Sequence, residues 1–254
     1  MMLSASIRDR LRASAIHLLL SCAIATLCAL LVFGIWYPYP YREISGGREL
    51  FLIVILVDII LGPLITFTVF NRAKPLKELQ RDLTIVVLLQ IAALAYGLWT
   101  VSVARPVHMV FEIDRFRVVH AIDVPEEMLD KTPAGVDALP LTGPTLLAVR
   151  PFRDANESME TTFAALKGLS LAARPDLWEP YAQATPRVLI AAHPVDALRS
   201  RFPDRVAEID QLIAKAGGNP QTAVYLPLIG RKSVWTVLMD PAGNVLGALP
   251  LDSF

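Results

Sequence analysis

One acidic residue, Asp58, lies near the centre of an otherwise uncharged apolar stretch and is the residue best placed to do chemistry. An ionised carboxylate at the middle of a membrane helix costs about 2.5–3.5 kcal/mol, so such a residue normally faces a partner or a cavity. Gly62 follows four residues later and shares a helix face with Asp58. Close approach of another helix at Gly62 would therefore bring that helix near the carboxylate.

Three further residues complete the set of candidates. Pro63 removes the hydrogen bond that its nitrogen would give to the preceding turn, which predicts a kink. Gln90 and Tyr96, in a later apolar stretch, are the candidate partners of Asp58. Two interpretations are open: Asp58 hydrogen-bonds Gln90 and holds a helix bundle together, or this polar patch receives a transmembrane helix of another protein. Ion transport is disfavoured, because one acidic residue gives no proton relay and the sequence has no inverted repeat.

Three apolar stretches are long enough to hold these residues inside a bilayer, which requires roughly 20 mostly apolar residues. They predict spans at residues 16–36, 50–70 and 83–104. Three basic residues precede the first span, two lie in the first loop and four in the second. Because basic residues concentrate in cytoplasmic loops, the N-terminus and the second loop are predicted to be cytoplasmic. Three crossings then place the C-terminal domain on the far side of the membrane, which in a bacterium is the periplasm.

The composition divides at the end of the third span. Apolar residues make up 54% of the chain and charged residues only 19%, whereas a soluble domain usually carries about 25% charge. Residues 1–104 contain 9 basic and 6 acidic residues, and residues 105–254 contain 15 and 18. The sequence therefore predicts an N-terminal membrane domain at 1–104 and a periplasmic domain at 105–254. The zero net charge gives no electrostatic reason to expect a nucleic-acid partner.

The predicted periplasmic domain contains both the alternating apolar pattern of strands and the apolar periodicity of helices. Residues 107–113 place Val107, Met109, Phe111 and Ile113 on one strand face, and a second strand at 116–120 completes a hairpin. Further strands are predicted at 145–149, 187–192, 223–228, 233–239 and 245–251, and helices at 126–131, 158–171, 194–202 and 203–216. In the helix at 158–171, one stripe contains Met159, Phe163 and Leu166. This succession predicts an α+β domain with a mainly antiparallel sheet, following a three-helix transmembrane bundle.

The periplasmic domain carries no recognisable catalytic or metal-binding motif. His108, His120 and His193 lack the spacing of metal ligands, and there is no nucleophile elbow, phosphate-binding loop or dinucleotide fingerprint. His108 and His120 flank the predicted hairpin turn and are expected to be cross-strand neighbours rather than a metal pair. Both cysteines, Cys22 and Cys28, lie in the first span, which excludes a disulfide framework in the domain. We expect neither enzyme activity nor a cofactor.

A set of short motifs runs from the first span to the hairpin. The motifs are Tyr37-Pro38-x-Pro40, Gly46-Gly47, Asp58-Ile59-Ile60-Leu61-Gly62-Pro63-Leu64, Phe70-Asn71, Asp82-Leu83, Gln90-x-Ala92-Ala93-x-Ala95-Tyr96-Gly97, Ala104-Arg105-Pro106-Val107 and Asp114-Arg115-Phe116. Over roughly residues 13–120 the chain resembles the TfpX/TfpZ family of type IV pilin accessory proteins. The resemblance implies an inner-membrane protein, without enzyme activity, that binds pilin and assists or modulates type IV pilus assembly.

The resemblance also suggests how pilin would be held. Type IV pilins wait in the inner membrane as one apolar helix with a periplasmic head. The resemblance thus implies that Asp58, Gly62, Pro63, Gln90 and Tyr96 contact the pilin helix and that the periplasmic domain contacts the head. The alternative is a membrane-tethered periplasmic ligand-binding or sensor protein, which would need a separate partner because its cytoplasmic parts are short. Neither a nucleic acid nor a small-molecule substrate is expected.

Overall fold

The structure is a computed structural model that describes residues 2–254, with side chains from residue 6 onward. The chain forms two compact units. The first unit contains the chain up to Pro38 together with Gly47–Val103, and the second contains Tyr39–Gly46 together with Ala104–Phe254. The segment 39–46, which the sequence places between two membrane spans, thus belongs to the same compact unit as the C-terminal domain.

Three helices of the first unit are long and apolar enough to cross a membrane. They cover Ser6–Trp36, Gly47–Val69 and Leu76–Val103. The predicted spans at 16–36, 50–70 and 83–104 lie within these helices apart from one residue at two C-terminal ends, and each helix begins earlier than its predicted span. The protein is therefore a membrane-anchored α+β protein. The helices of this unit are α1 (Met2–Leu31), α3 (Gly47–Leu56), α4 (Gly62–Val69) and α5 (Leu76–Val103). Two π-helical turns, Val32–Trp36 and Val57–Leu61, extend α1 and join α3 to α4.

Close helix packing in the first unit depends on a glycine of α5. A Cβ atom on Gly97 would lie 2.4 Å from Cγ1 of Val54, so only glycine lets α5 approach α3 this closely. Tyr37 is buried after the first span, and its hydroxyl donates a hydrogen bond to the carbonyl of Val101 at 3.2 Å. These contacts connect α5 with α3 and with the C-terminal end of the first span.

The loop between the first two spans contributes to the core of the second unit. It contains the short helix α2 (Tyr41–Ile44), and the side chain of Ile44 is fully buried among core residues of the domain. The hydroxyl of Tyr41 contacts the sulfur of Met109 at 3.6 Å, and burial raises the pKa of Tyr41 to about 12. The ring of Tyr39 lies edge-on to Trp235 at 6.5 Å. Apolar and aromatic side chains thus fix this loop to the domain.

An eight-stranded sheet organises the second unit. Its strands are β1 (Pro106–Glu112), β2 (Arg115–His120), β3 (Thr145–Val149), β4 (Trp178–Pro180), β5 (His193–Pro194), β6 (Val224–Ile229), β7 (Val234–Met239) and β8 (Val245–Leu249). The order is β4-β3-β1-β2-β6-β7-β8, with β5 also paired to β6. Only the pairs β1–β3 and β2–β6 are parallel, which confirms the mainly antiparallel prediction.

Both faces of the central strand β1 are buried. The sequence instead predicts a strand with a single apolar face. Met109 and Phe111 belong to one buried cluster, whereas Val107 belongs to another because the β1–β2 register shifts near the start of the strand. Ile113 is 76% exposed and has a φ of 58° in the hairpin turn. The prediction that these four residues share one face is therefore wrong at both ends of the strand.

The helices of the domain follow the predicted order with one exception, and the short strands β4 and β5 have no counterpart among the predicted elements. The helices are α6 (Ala155–Leu166), α7 (Tyr181–Ala191), α8 (Val195–Arg201) and α9 (Val206–Lys215), and Glu126–Lys131 is a 3-10 helix. The strand predicted at 187–192 is wrong, because those residues lie mostly in α7. Ala184 and Val188, four residues apart, are buried on one face of this helix. A short apolar run does not distinguish a strand from a buried helix.

Helix α6 turns its apolar stripe outward. Met159, Phe163 and Leu166 share a face as predicted, but all three are exposed. Glu157 and Thr161 are the buried residues of this helix. The helix is thus attached to the domain by hydrogen-bonding side chains, since Arg150 binds the carboxylate of Glu157 through two nitrogens at 2.9 and 2.7 Å.

Candidate functional site

Asp58 lies in the π-helical turn Val57–Leu61 that interrupts the second span. Helix α4 begins directly afterwards at Gly62, with Pro63 in its first turn. Because proline has no N–H to donate, the regular α-helical bonding pattern cannot continue through this position. The predicted interruption at Gly62-Pro63 is present as a π-helical turn. Such turns inside α-helices are frequent at functional sites.

The side chains of Asp58 and Gln90 meet between the second and third spans. Nε2 of Gln90 donates a hydrogen bond to Oδ1 of Asp58 at 3.2 Å, and Asp58 is only 8% exposed. This contact is the one expected in the first interpretation above. Asp58 Oδ2 and Gln90 Oε1 accept no hydrogen bond from any residue whose side chain the structure describes. A bound partner could therefore donate a hydroxyl or amide hydrogen to either atom.

Gly62 allows the Gln90 amide to reach the carboxylate. A Cβ atom at Gly62 would lie 1.8 Å from Nε2 and 2.9 Å from Cδ of Gln90, and 3.2 Å from Nε2 of His17. Real Cβ atoms essentially never show the first two separations, so any larger residue would displace the amide of Gln90. Gly62 therefore marks a close approach beside Asp58, as its position in the sequence predicts.

The first span adds polar side chains that the sequence analysis missed. Nδ1 of His17 lies 2.5 Å from the hydroxyl oxygen of Thr66, and the hydroxyl of Ser14 donates to the carbonyl of Pro63 at 2.9 Å. Ser14 and His17 are three residues apart and so share a helix face. Two polar residues on one face of an apolar helix were the sequence signal that could have identified this part of the site. We call Ser14, His17, Asp58, Thr66 and Gln90 the polar cluster.

A groove of about 170 Å3 lies beside the polar cluster, between the second and third spans. Its floor contains Asp58 and Gln90, and its walls are apolar side chains. The wall residues include Val57, Leu61, Ile65 and Leu89, all of which are exposed. The groove therefore offers an apolar depression with hydrogen-bonding atoms at its base.

Tyr96 is not brought to the polar cluster. Its side chain is 69% exposed and lies against Trp99, with ring centroids 5.7 Å apart. Of the five residues predicted to contact a partner helix, Tyr96 is thus the one that lies apart, while Pro63 is buried and takes part through its carbonyl. The interaction of the other residues with a partner stays a prediction.

His108 serves the packing of the second unit. Nε2 donates to the carbonyl of Ala138 at 3.0 Å, and Nδ1 lies 2.7 Å from the hydroxyl oxygen of Thr145. Burial lowers the pKa of His108 to about 4. A neutral imidazole with a proton on Nε2 satisfies both partners.

The hairpin does not bring its two histidines face to face. His108 pairs with Val119 and His120 with Pro106, so the prediction that His108 and His120 are cross-strand neighbours is wrong. The irregular register at the start of β1 accounts for the difference. Within residues whose side chains are described, no group of three His, Cys, Asp or Glu side chains is arranged to hold a metal ion.

Comparison with known proteins identifies the family. A family described as "Fimbrial assembly protein FimB" matches residues 5–46. Two fimbrial assembly proteins of Dichelobacter nodosus, of serogroups I and E1, are each 35% identical to this chain over 246 residues, 95% of either chain. The chain belongs to the fimbrial assembly protein family. A further relative, of serogroups C1 and C2 of the same organism, is 41% identical over 120 residues, which are 47% of this chain and 89% of the relative.

The family relationship refines the resemblance found in the sequence. The matched proteins confirm that the chain belongs to a family of fimbrial assembly proteins. They do not confirm the narrower resemblance to the TfpX/TfpZ family. No solved structure matches this chain. The segment 5–46 that matches the family includes Ser14 and His17 of the polar cluster. It also includes Ile44, which lies in the loop between the first two spans.

Proposed function

We propose that the protein is an inner-membrane accessory protein that binds pilin and assists or modulates type IV pilus assembly. The fimbrial assembly proteins to which it is similar along nearly its whole length support a role in fimbrial assembly. The observation that carries the binding proposal is the groove beside Asp58 and Gln90. The proposed role is binding, without catalysis.

The groove suits a transmembrane helix. Inside lipid, burial of apolar surface gives little net drive for helix association, because lipid tails are as apolar as the side chains. Close packing and hydrogen bonds must therefore supply the free energy. The depression between Leu61 and Leu89 offers packing, and the free acceptor atoms of Asp58 and Gln90 offer hydrogen bonds.

Two independent features support the proposed periplasmic location of the second unit. The segment Tyr39–Gly46 belongs to the same compact unit as Ala104–Phe254, so the first loop and the C-terminal domain share one side of the membrane. The larger numbers of basic residues lie before the first span and in the second loop, which favours the cytoplasm for those segments. Both features support a periplasmic second unit, which would then be available to a pilin head.

Site-specific photocrosslinking in cells tests the groove. A photoreactive residue at Leu61, on the wall of the groove, is expected to capture pilin. The matched control replaces Leu30, which is also exposed on a membrane span but does not line the groove. Capture from neither position, or equal capture from both, contradicts binding in the groove.

Deletion of the gene tests the wider role. We expect fewer surface pili and accumulation of pilin in the inner membrane, measured by electron microscopy and by fractionation with immunoblotting. Restoring the intact gene should reverse both changes. Unchanged piliation and twitching in the deletion strain would refute the accessory role.

A further inference from the structure

Helix α6 of the second unit carries an apolar stripe that stays exposed. Met159, Phe163 and Leu166 form this stripe and are 54%, 57% and 78% exposed. A surface helix normally turns its apolar stripe towards the core, where burial of apolar area stabilises the fold. The reversed orientation leaves three large apolar side chains side by side in water, and such a patch marks an interaction surface.

Hydrogen bonds on the opposite face fix this orientation of α6. Nη1 of Arg174 donates to the hydroxyl of Thr161 at 2.9 Å. The carboxylate of Glu157 accepts from the backbone N–H of Arg153 at 2.7 Å and from the guanidinium of Arg150. A rotation of the helix that buried its stripe would break these bonds and leave buried polar groups without their partners, which is costly. The stripe therefore stays available for a binding partner.

Two opposite charges border the stripe along one edge. Glu160 and Lys167 are exposed, and neither side chain forms an ion pair with a residue whose side chain the structure describes. Because a helix turns by roughly 100° per residue, both charges lie about 40–60° from Phe163 on the same side. Met159 and Leu166 lie at similar angles on the other side. The edge thus has an acidic group near the N-terminal end of the stripe and a basic group near its C-terminal end.

This arrangement is complementary to a second copy of itself. When two helices pack antiparallel about a two-fold axis perpendicular to both, the same edge of each helix faces the other. Glu160 of one copy then lies opposite Lys167 of the other, and the symmetry repeats this pair. Phe163, in the middle of the stripe, meets the apolar residues of the other stripe. Two opposite-charge contacts therefore border an apolar centre.

We propose that the second unit associates with a second copy of this chain through antiparallel packing of α6 on α6. Phe163 and Leu166 form the apolar centre of the contact, and Glu160 pairs with Lys167 twice across it. A standard interface buries roughly 800 Å2 per partner, which is more than three side chains of one helix provide. The dimer is therefore weak and reversible, and it depends on the local concentration that a membrane anchor provides. This surface goes beyond the proposed binding of pilin and does not depend on it.

Charge reversal tests the pairing with two variants that control each other. Glu160→Lys and Lys167→Glu each convert both ion pairs into like-charge contacts, so each variant alone should self-associate about tenfold more weakly than wild type. A mixture of the two variants restores opposite charges at both contacts and should regain the wild-type affinity, as should the double variant. The measurement is energy transfer between donor-labelled and acceptor-labelled full-length protein in lipid vesicles, over a series of lipid-to-protein ratios.

Further variants locate the association on α6. Phe163→Ser should abolish it, whereas Ile190→Ser removes an exposed isoleucine of α7 and should not. Glu126→Lys and Lys215→Glu reverse exposed charges elsewhere in the second unit and should leave the affinity unchanged. Wild-type protein that stays monomeric at every lipid ratio overturns the proposal, and so do charge variants that associate as wild type does. Weak association of both charge variants without recovery in their mixture also overturns it.

Photocrosslinking identifies any other occupant of the stripe. A photoreactive residue at Leu166 should capture a second copy of this chain in cells, because Leu166 is the most exposed residue of the stripe. Capture of pilin or lipid without a second copy would assign the stripe to that occupant and overturn the proposal.

Discussion

The carbonyl of Ile44 accepts a hydrogen bond from the backbone N–H of Lys232 at 3.0 Å. Ile44 belongs to the loop between the first two spans, and Lys232 to the turn between β6 and β7. A Cβ atom on Gly230, in the same turn, would lie 2.0 Å from Cγ2 of Ile44. The glycine is thus required where the loop enters the domain, and the fold of the second unit includes a piece of chain that precedes it by about sixty residues.

Ile44→Ala should destabilise the second unit by about 2–5 kcal/mol, because it leaves a cavity in a core where Ile44 is fully buried. The measurement is denaturant unfolding followed by tryptophan fluorescence, with Trp36 and Trp99 of the first unit replaced by phenylalanine. Ile122→Ala removes an exposed isoleucine of the same unit and should change the free energy of unfolding by less than about 0.5 kcal/mol. Equal effects of the two substitutions would mean that the loop does not support the domain.

Gly62→Ala should disrupt the polar cluster. The new Cβ atom would lie 1.8 Å from Nε2 of Gln90, so the amide must move away from Asp58. Loss of its hydrogen bond leaves the buried carboxylate without this donor, at a cost of about 1–3 kcal/mol. A lower thermal midpoint in detergent and fewer surface pili are expected. Gly34→Ala, also in a membrane span, is the control because nothing lies within 4 Å of its added carbon. A Gly62→Ala protein with the midpoint of Gly34→Ala would contradict the close approach.

Substitutions at Asp58 separate its charge from its hydrogen bond. Asp58→Asn keeps an oxygen that can accept from Gln90, so we expect a stable bundle and continued pilus assembly. Asp58→Leu leaves the Gln90 amide without this acceptor, at a cost of about 1–3 kcal/mol, and removes the polar floor of the groove. Pilus counts and thermal midpoints of both variants give the comparison. Normal assembly with Asp58→Leu would show that the polar floor is dispensable.

His108 should make the second unit less stable as the pH falls. Burial holds its folded pKa at about 4, whereas the unfolded residue titrates near 6.5, so the unfolded state takes up a proton first. Stability is therefore complete above about pH 6.5 and decreases down to about pH 4, by about 3 kcal/mol in total. Unfolding free energies measured across this range provide the test.

His108→Gln is the variant that isolates this effect. Glutamine retains a donor and an acceptor for Ala138 and Thr145 but does not titrate, so the slope between pH 6.5 and 4 should become smaller. His193→Gln removes an exposed histidine of the same unit and should leave the slope unchanged. An identical slope in wild type and His108→Gln would show that the buried imidazole is not responsible.

The candidate site was predictable in part. Asp58, Gly62 and Gln90 could be placed together from the sequence, because a charge inside an apolar stretch needs a partner and a glycine one turn away permits close approach. Tyr96 could not be excluded, since its direction depends on which face of α5 packs against Val54. His17 was missed because its partner, Thr66, lies on another helix 49 residues away.

The sequence by itself determined the three spans, the hairpin and the positions of most strands along the chain. These features depend on local patterns: a bilayer requires a continuous apolar run, and a strand requires alternation over a few residues. Tertiary structure alone decided that the loop 39–46 joins the second unit and that the stripe of α6 faces outward. Each of these depends on contacts between residues far apart in the chain, and a local pattern does not specify which faces will meet.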